Sequence, residues 1–430
     1  MIAYLFDTLS PIGDILGTLF RYAPLWLPVI LLFAFWKLWV ASRRALFITG
    51  KEPVLLEIRI PKEISKSPLA MEVVMGAFWN PTGEATFVDR YWKGGVRPWF
   101  SLELVSIEGQ VRFFIWTWKG SVKHIQNSIY AQYPGTEITE VPDYTLEFLF
   151  DPDKADLQGM ELALNKPDPY PIKTYVDYGL DKDPKEEFKI DPLNQTLEYL
   201  GGLGKGEQAW IQIILRAHKS EDKKKGGPFA GIKSVEDMFE LVPKVQDQMK
   251  KTDKWKDDVK VEIEKIVKKR KLQGSGEDDD NNKGVTLTPV EKEIVGALER
   301  SITKSGYDVG IRLIYAAEKD SFNSAHKGAL GAIFAQYNTG HLNGFKPGFG
   351  TGFLYPWQDI FGWRTATRKK EIFNAYRLRA YFHPPHKKKW FVLNSEELAT
   401  LYHFPGQVAE TPTLGRIEST KGEPPVNLPT

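Results

Sequence analysis

The sequence predicts an α+β protein in which an apolar N-terminal helix precedes two α/β sandwich domains, the second with a charged helical insertion. Three observations predict it. Residues 22–36 carry no charge, residues 51–150 alternate strand-like and helix-like runs, and residues 170–390 repeat that alternation around a charged, Gly/Ser/Asn-rich stretch at about 221–285. The chain of 430 residues is 42% hydrophobic and 26% charged, enough for two or three folded units and too polar for a polytopic membrane protein. It has no Cys, which excludes disulfides, thiolate-bound metals and thiol catalysis.

The uncharged run YAPLWLPVILLFAFW would cover only ~22 Å as a helix, short of a ~30 Å hydrocarbon layer. Leu19 and Phe20 before it, and Leu38, Trp39 and Val40 after it, extend the span to about residues 19–40 within an anchor segment 1–50, with Lys37 snorkelling to the headgroups. Trp26, Trp36 and Trp39 are candidate interfacial rings. Lys37, Arg43, Arg44 and Lys51 follow the run and only Arg21 precedes it, the reverse of an export signal. That bias predicts a single-pass protein of the inner (cytoplasmic) membrane, in contact with lipid, its N terminus outside and its bulk in the cytoplasm. An interfacial helix or a buried core helix is the alternative, because Pro24 and Pro28 interrupt the run. Arg21, Lys37, Arg43 and Arg44 outnumber Asp7 and Asp14 by two, the whole net charge of +2. The remainder therefore lacks the global field of a non-specific DNA binder.

In residues 51–150 the pattern predicts a strand at 54–60, a helix at 67–80 with Leu69, Val73 and Ala77 at helical spacing, and a hairpin of strands 100–107 and 111–118. A helix at 121–133 and a strand at 136–141 complete the order β-α-β-β-α-β, which is the ferredoxin-like arrangement. Both faces of 111–118 are apolar. Trp116 and Trp118 are therefore either a partner-docking stripe or a second core layer.

The second domain, 170–390, is predicted to hold strands at 172–178, 208–217, 309–316 and 376–383. Asp191 caps a helix at 192–199, and residues 234–273 form a charged helix within a solvated excursion. Thr288 and Glu291 form a capping box for a helix presenting Ile294, Leu298 and Ile302, and another helix covers 324–337. Residues 391–430 add a short helix capped by Asn394 or Ser395, then an extended Pro-rich tail that is either a strap or disordered.

No catalytic, cofactor or metal residues are expected. In Gly201-Gly202-Leu203-Gly204-Lys205-Gly206, Gly follows Lys where a P-loop needs Ser or Thr. The Gly348–Phe353 stretch lacks a strand–turn–helix context, His383 and His386 have no third partner, and neither a G-x-S-x-G elbow nor an H-E-x-x-H pair occurs. Arg364, Arg368, Lys369 and Lys370 lie near Trp357 and Trp363, and Lys387, Lys388 and Lys389 follow. Cations beside rings suit nucleic acid, an anionic lipid surface or an acidic partner, or form an ordinary solvated rim.

The run Leu393-Asn394-Ser395-Glu396-Glu397-Leu398-Ala399-Thr400-Leu401-Tyr402-His403-Phe404-Pro405, with Thr411-Pro412, Pro424-Pro425 and Leu428-Pro429 after it, resembles the segment before the motor core in conjugation-type ATPases of type IV secretion, the VirD4, TraG and VirB4 group, in the form seen in small-genome uncultured bacteria. The close match covers about the last 40 residues, and no motor domain follows it. The resemblance implies a non-enzymatic, membrane-anchored accessory or scaffold subunit that can self-associate and that docks a separately encoded ATPase, with Pro424 and Pro425 as candidate docking residues and Leu398, Leu401 and Phe404 contacting either that motor or this protein's own last domain. A scaffold unrelated to DNA transfer and a membrane-tethered nucleic-acid module are the alternatives.

Overall fold

The computed structural model of the chain describes residues 21–61, 66–84, 86–148, 150–181, 190–219, 254–274, 287–353, 355–406 and 416–417. The residues before 21, most of the charged insertion and most of the Pro-rich tail, including Pro424 and Pro425, lie outside the described residues. The chain divides into two units, residues 1–52 with 82–97, and residues 53–81 with 98–430.

The first unit is built on helix α1 (Ala23–Thr49). It continues past the expected end at Val40, so Arg43 and Arg44 lie on the helix itself. Pro24 sits in its first turn, where a missing N–H costs nothing, and Pro28 is accommodated inside it.

The second unit contains, in chain order, β1 (Pro53–Pro61), α2 (Pro68–Phe78), β2 (Trp99–Ile107), β3 (Gln110–Trp118), α3 (Val122–Gln132) and β4 (Glu137–Val141). Then follow β5 (Ala155–Leu164), α4 (Pro192–Gly201), β6 (Glu207–Ala217), α5 (Lys254–Gly274), α6 (Pro289–Thr303) and β7 (Gly306–Glu318). It closes with α7 (Ala325–Ala332), β8 (Phe345–Gly350), α8 (Trp363–Arg377), β9 (Phe391–Asn394), α9 (Ser395–Leu401) and β10 (Arg416–Ile417).

All ten strands form one sheet, ordered β10-β1-β3-β2-β6-β7-β5-β8, with β4 on β1 and β9 on β7. Only the short β1–β10 pairing is parallel. The two α/β regions contribute to one open, mostly antiparallel sheet, because β2 and β6 pair antiparallel from Trp99 opposite Arg216 to Ile107 opposite Gln208. Glu103 faces Gln212 at the centre of that seam. Strand order is the same on both sides of it, β4-β1-β3-β2 and β8-β5-β7-β6.

One face of the sheet is apolar. Leu102, Leu104, Ile211, Ile213 and Leu313 are buried there in one core with residues of α2, α3, α4, α7 and α9. Each of those positions alternates along its strand, as a pleat requires. The face of α2 that packs carries Met71, Val74, Met75 and Phe78, whereas the expected Leu69 and Val73 are 47% and 51% exposed.

The other face is covered by α8 and residues 378–390. A Cβ at Gly159 would stand 2.7 Å from Ile372 of α8, and one at Gly310 would stand 2.3 Å from the Tyr381 ring, so both strands need glycine where this layer presses on them. The layer is also held by charge. Arg379, fully buried, donates from Nε and Nη2 to Glu103 at 3.0 Å each, and from Nη2 to Asp143 at 3.1 Å. Gln212 Nε2 donates to Glu103 at 3.0 Å, and Arg312 joins Gln212, Glu161 and the Ala380 carbonyl. The Tyr144 and Tyr376 hydroxyls meet at 2.6 Å. Farther along, the Arg216 guanidinium lies between Phe382 at 4.4 Å and Trp390 at 4.8 Å. In this layer Arg379, Arg312, Glu103 and Glu161 each have a charged partner, which is the condition for burying them.

Three expected elements change. Residues 172–178 are irregular chain and turns, and their place is taken by β5, where the alternation of Ala155, Asp156, Leu157 and Gln158 changes phase at Gly159. The expected strand 376–383 is the end of α8 and an irregular segment, with Arg379 in a left-handed conformation at φ 46. The described part of the charged insertion, α5, is not a free excursion, since Trp255 and Val259 are buried against Leu298 and Val392. The capping boxes at Thr288–Glu291 and Asn394–Glu397 both form.

Candidate membrane-facing site

Helix α1 is about 40 Å long at 1.5 Å per residue, enough to cross a hydrocarbon layer of ~30 Å. Only 6% of its most apolar 18-residue stretch is buried. Leu25, Val29, Leu31, Leu32, Phe35 and Leu38 are all more than half exposed, so apolar surface runs around the helix rather than along one stripe. It is a helix long and apolar enough to span a membrane.

Residues 82–97 pack against the C-terminal half of this helix and form an aromatic collar. Trp36 meets Tyr91 at 5.8 Å and both Phe87 and Trp92 at 6.4 Å, and Trp39 meets Trp92 at 5.9 Å. Arg43 Nε donates to the Trp92 carbonyl at 3.0 Å while its guanidinium lies 5.2 Å from the Trp39 ring. Gly94, at φ +70, lets the backbone touch the helix, since a Cβ there would stand 2.3 Å from the Arg43 carbonyl. Lys37 lies over Phe33 at 4.4 Å. Trp36, Trp39, Lys37, Arg43 and Arg44 are thus gathered on one half of α1; Trp26 lies on the other half. Phe87, Tyr91 and Trp92 were not legible as part of this group, because their only sequence signal is a density of rings in an otherwise glycine-rich segment.

The basic cluster is less open than its sequence suggests. Lys369 pairs with Asp156, and Lys388 pairs with Glu371 at 2.7 Å and lies 3.9 Å over Phe349. The Arg368 guanidinium covers Phe353 at 3.8 Å and donates to the Gly350 and Gly352 carbonyls. Arg364, Lys370, Lys387 and Lys389 remain exposed. Beside them is a group that sequence reasoning caught only at Trp357 and Trp363. Tyr355, Trp357, Ile360, Phe361 and Trp363 are all at least half exposed.

The remaining sequence-predicted residues lie inside the fold. Trp116 and Trp118 are each 8% exposed and pack on Trp99, so they form the second core layer. Leu398, Leu401 and Phe404 are at most 3% exposed, because β9 and α9 are inserted into the sheet and its core. Phe404 stacks edge-on with Phe113 and Tyr133. These residues are core, not a free docking surface. In the glycine loop after α4, the Gly204 and Gly206 amides donate to Glu207 and Glu108, so carboxylates occupy the donors a phosphate would need. Among the described residues no group of three or more His, Asp or Glu is placed to hold a metal ion.

Fold and site together define an α+β protein with one broad, mostly antiparallel sheet and one N-terminal helix fit to cross a bilayer. The chain belongs to the family described as domain of unknown function DUF8128, whose model matches residues 50–415. That match begins where α1 ends and takes in β1 to β9, with β10 just beyond it. No curated protein matches the chain.

Proposed function

We propose that the protein is a non-enzymatic scaffold held at the cytoplasmic membrane by a single pass of α1, with residues 53–430 in the cytoplasm, and that it serves as an accessory subunit of a conjugation or type IV secretion machine. The observation that carries the membrane reading is the exposed, wholly apolar circumference of α1 ending in a collar of Trp36, Trp39, Phe87, Tyr91 and Trp92 beside Arg43 and Arg44. Aromatic rings with cations at one end of an apolar helix are the chemistry of a membrane–water interface, and the cations favour the cytoplasmic side. Each set of strands, in the order fourth-first-third-second, is read as a ferredoxin-like module, and the pair fused at β2–β6 gives a wide, rigid platform. The secretion context rests on the resemblance of residues 393–405. Since that run is core, the contact with a separately encoded ATPase falls to the tail beyond residue 406.

Membrane fractionation of full-length protein tests the anchor. The 49.0 kDa chain is expected intact in the carbonate-resistant pellet, and Leu31→Asp with Phe35→Asp is expected to release it, each acid costing ~2.5–3.5 kcal/mol at mid-membrane. A soluble wild type, or a chain cleaved after α1, refutes the anchor. Co-purification with a hexameric ATPase at high salt, lost on deleting residues 407–430, tests the docking; its absence refutes it.

A further inference from the structure

We infer that the loop of residues 355–363 is a second, separate membrane contact, an interfacial hook that inserts its rings among the headgroups of an anionic bilayer. Five large apolar side chains occur within nine positions, and exposure rises toward the tip: Tyr355 50%, Trp357 67%, Ile360 75%, Phe361 77% and Trp363 74%. Isolated exposed apolar residues need no explanation, but a contiguous protruding group does.

The loop is built to present them. The Asp359 carboxylate receives the Arg364 and Thr365 amides at 3.1 and 2.6 Å, fixing the start of α8, and Arg364 Nη1 donates to the Gln358 carbonyl at 2.7 Å. The Tyr355 and Trp357 rings stack at 4.4 Å and 10°. Gly362, at φ +73, turns the chain so that Phe361 and Trp363 flank the bend, their rings 5.5 Å apart.

The partner follows from shape and charge. A tip three-quarters exposed is a protrusion and suits a soft surface rather than a rigid groove. Trp and Tyr with Ile and Phe are the residue set of the bilayer interface. Arg364 and Lys370 are exposed on the adjoining turns of α8, where they can meet anionic headgroups. Nucleic-acid stacking would use ring faces, whereas the stack of Tyr355 on Trp357 takes one face of each and Ile360, among the most exposed side chains of the tip, has no ring to offer a base. The hook deepens the membrane reading above but does not require α1 to be inserted.

The absence of Cys gives a clean test. Full-length Ile360→Cys carrying an environment-sensitive fluorophore is mixed with, or reconstituted into, vesicles of phosphatidylcholine with and without phosphatidylglycerol. Phe361→Cys is the second labelling position should the first variant misfold. The expected result is a blue shift with phosphatidylglycerol and quenching by spin-labelled lipid, both lost in Arg364→Glu/Lys370→Glu. The same label at Glu299→Cys, an exposed position on α6, is expected to stay in water. A water-like signal at 360 in protein that co-sediments with vesicles overturns the hook and leaves the anchor standing. A shift at 360 in protein that does not resist carbonate sinks the anchor alone. A shift produced by single-stranded DNA and not by lipid overturns the hook in favour of a nucleic-acid contact.

Discussion

Replacing Arg379 by Met is expected to be among the most damaging single changes in the sheet unit, and its cost can be worked from the contacts. Burial by itself would favour the neutral side chain, but Glu103 and Asp143 outweigh it and hold the guanidinium charged well above its usual range. Removing it leaves Glu103 fully buried with Ser101, Tyr144 and Gln212 as its remaining donors, at 2.8, 2.8 and 3.0 Å. Breaking a buried ion pair from one side costs ~3–5 kcal/mol, and three surviving hydrogen bonds place this case toward the lower end. Urea unfolding of full-length protein, followed by Trp fluorescence, measures it. Arg379→Met should lose ~3 kcal/mol, and adding Glu103→Gln should recover part of that loss by neutralising the stranded charge. A loss below ~1 kcal/mol, the range of an exposed pair, would refute the reasoning, as would a double variant weaker than the single one.

Two further predictions address the C-terminal segment. Leu398→Ala should cost ~2–5 kcal/mol in the same assay, because Leu398 is core; unchanged stability with lost partner binding would instead restore it as a docking residue. His403 and Asp191 pair at 3.1 Å. Burial lowers the His403 pKa, but Asp191 more than reverses this and leaves it above its ordinary value; burial raises Asp191, but His403 holds it below. The stabilisation from the raised histidine is full below about pH 6.5 and is lost as pH rises through the folded value, and that from the lowered aspartate is full above about pH 3.9 and is lost as pH falls. The stability gap between wild type and His403→Gln should therefore be widest between about pH 4 and 6.5 and shrink above; a gap independent of pH contradicts it.

Local chemistry was the legible part of this fold. Thr288 and Glu291, Asn394 and Glu397, and Asp191 cap the helices their spacing announces, and the hairpin around Glu108-Gly109 turns with both residues at positive φ. What escaped was decided by distant partners. Arg377 and Arg379 alternate with apolar residues as in a strand, yet Arg379 is drawn inward by carboxylates that lie over two hundred positions away. Helix α8 hides because its buried residues, Ile372, Phe373, Ala375 and Tyr376, all fall near its end. For Trp116 and Trp118 the sequence left a docking stripe and a core layer open, because their cover comes from Trp99, which in turn meets His383, remote in sequence. At the candidate site the cations were visible, but their pairing with Asp156 and Glu371 was not, and the exposed Ile360 and Phe361 carry no pattern that separates them from core.

The seam between β2 and β6 has a consequence for how the molecule can be divided. Its backbone ladder spans the whole of β2, and β6 supplies the only neighbour on that side. Cutting the chain between β4 and β5 would bare a long, flat border rich in Leu, Val and Ile on each fragment, the kind of border that recruits further strands. Because the register sets Glu103 opposite Gln212, a second copy of β2 in that register would set Glu103 against Glu103, so self-pairing is a poor substitute for β6. The halves are therefore poor candidates for separate life.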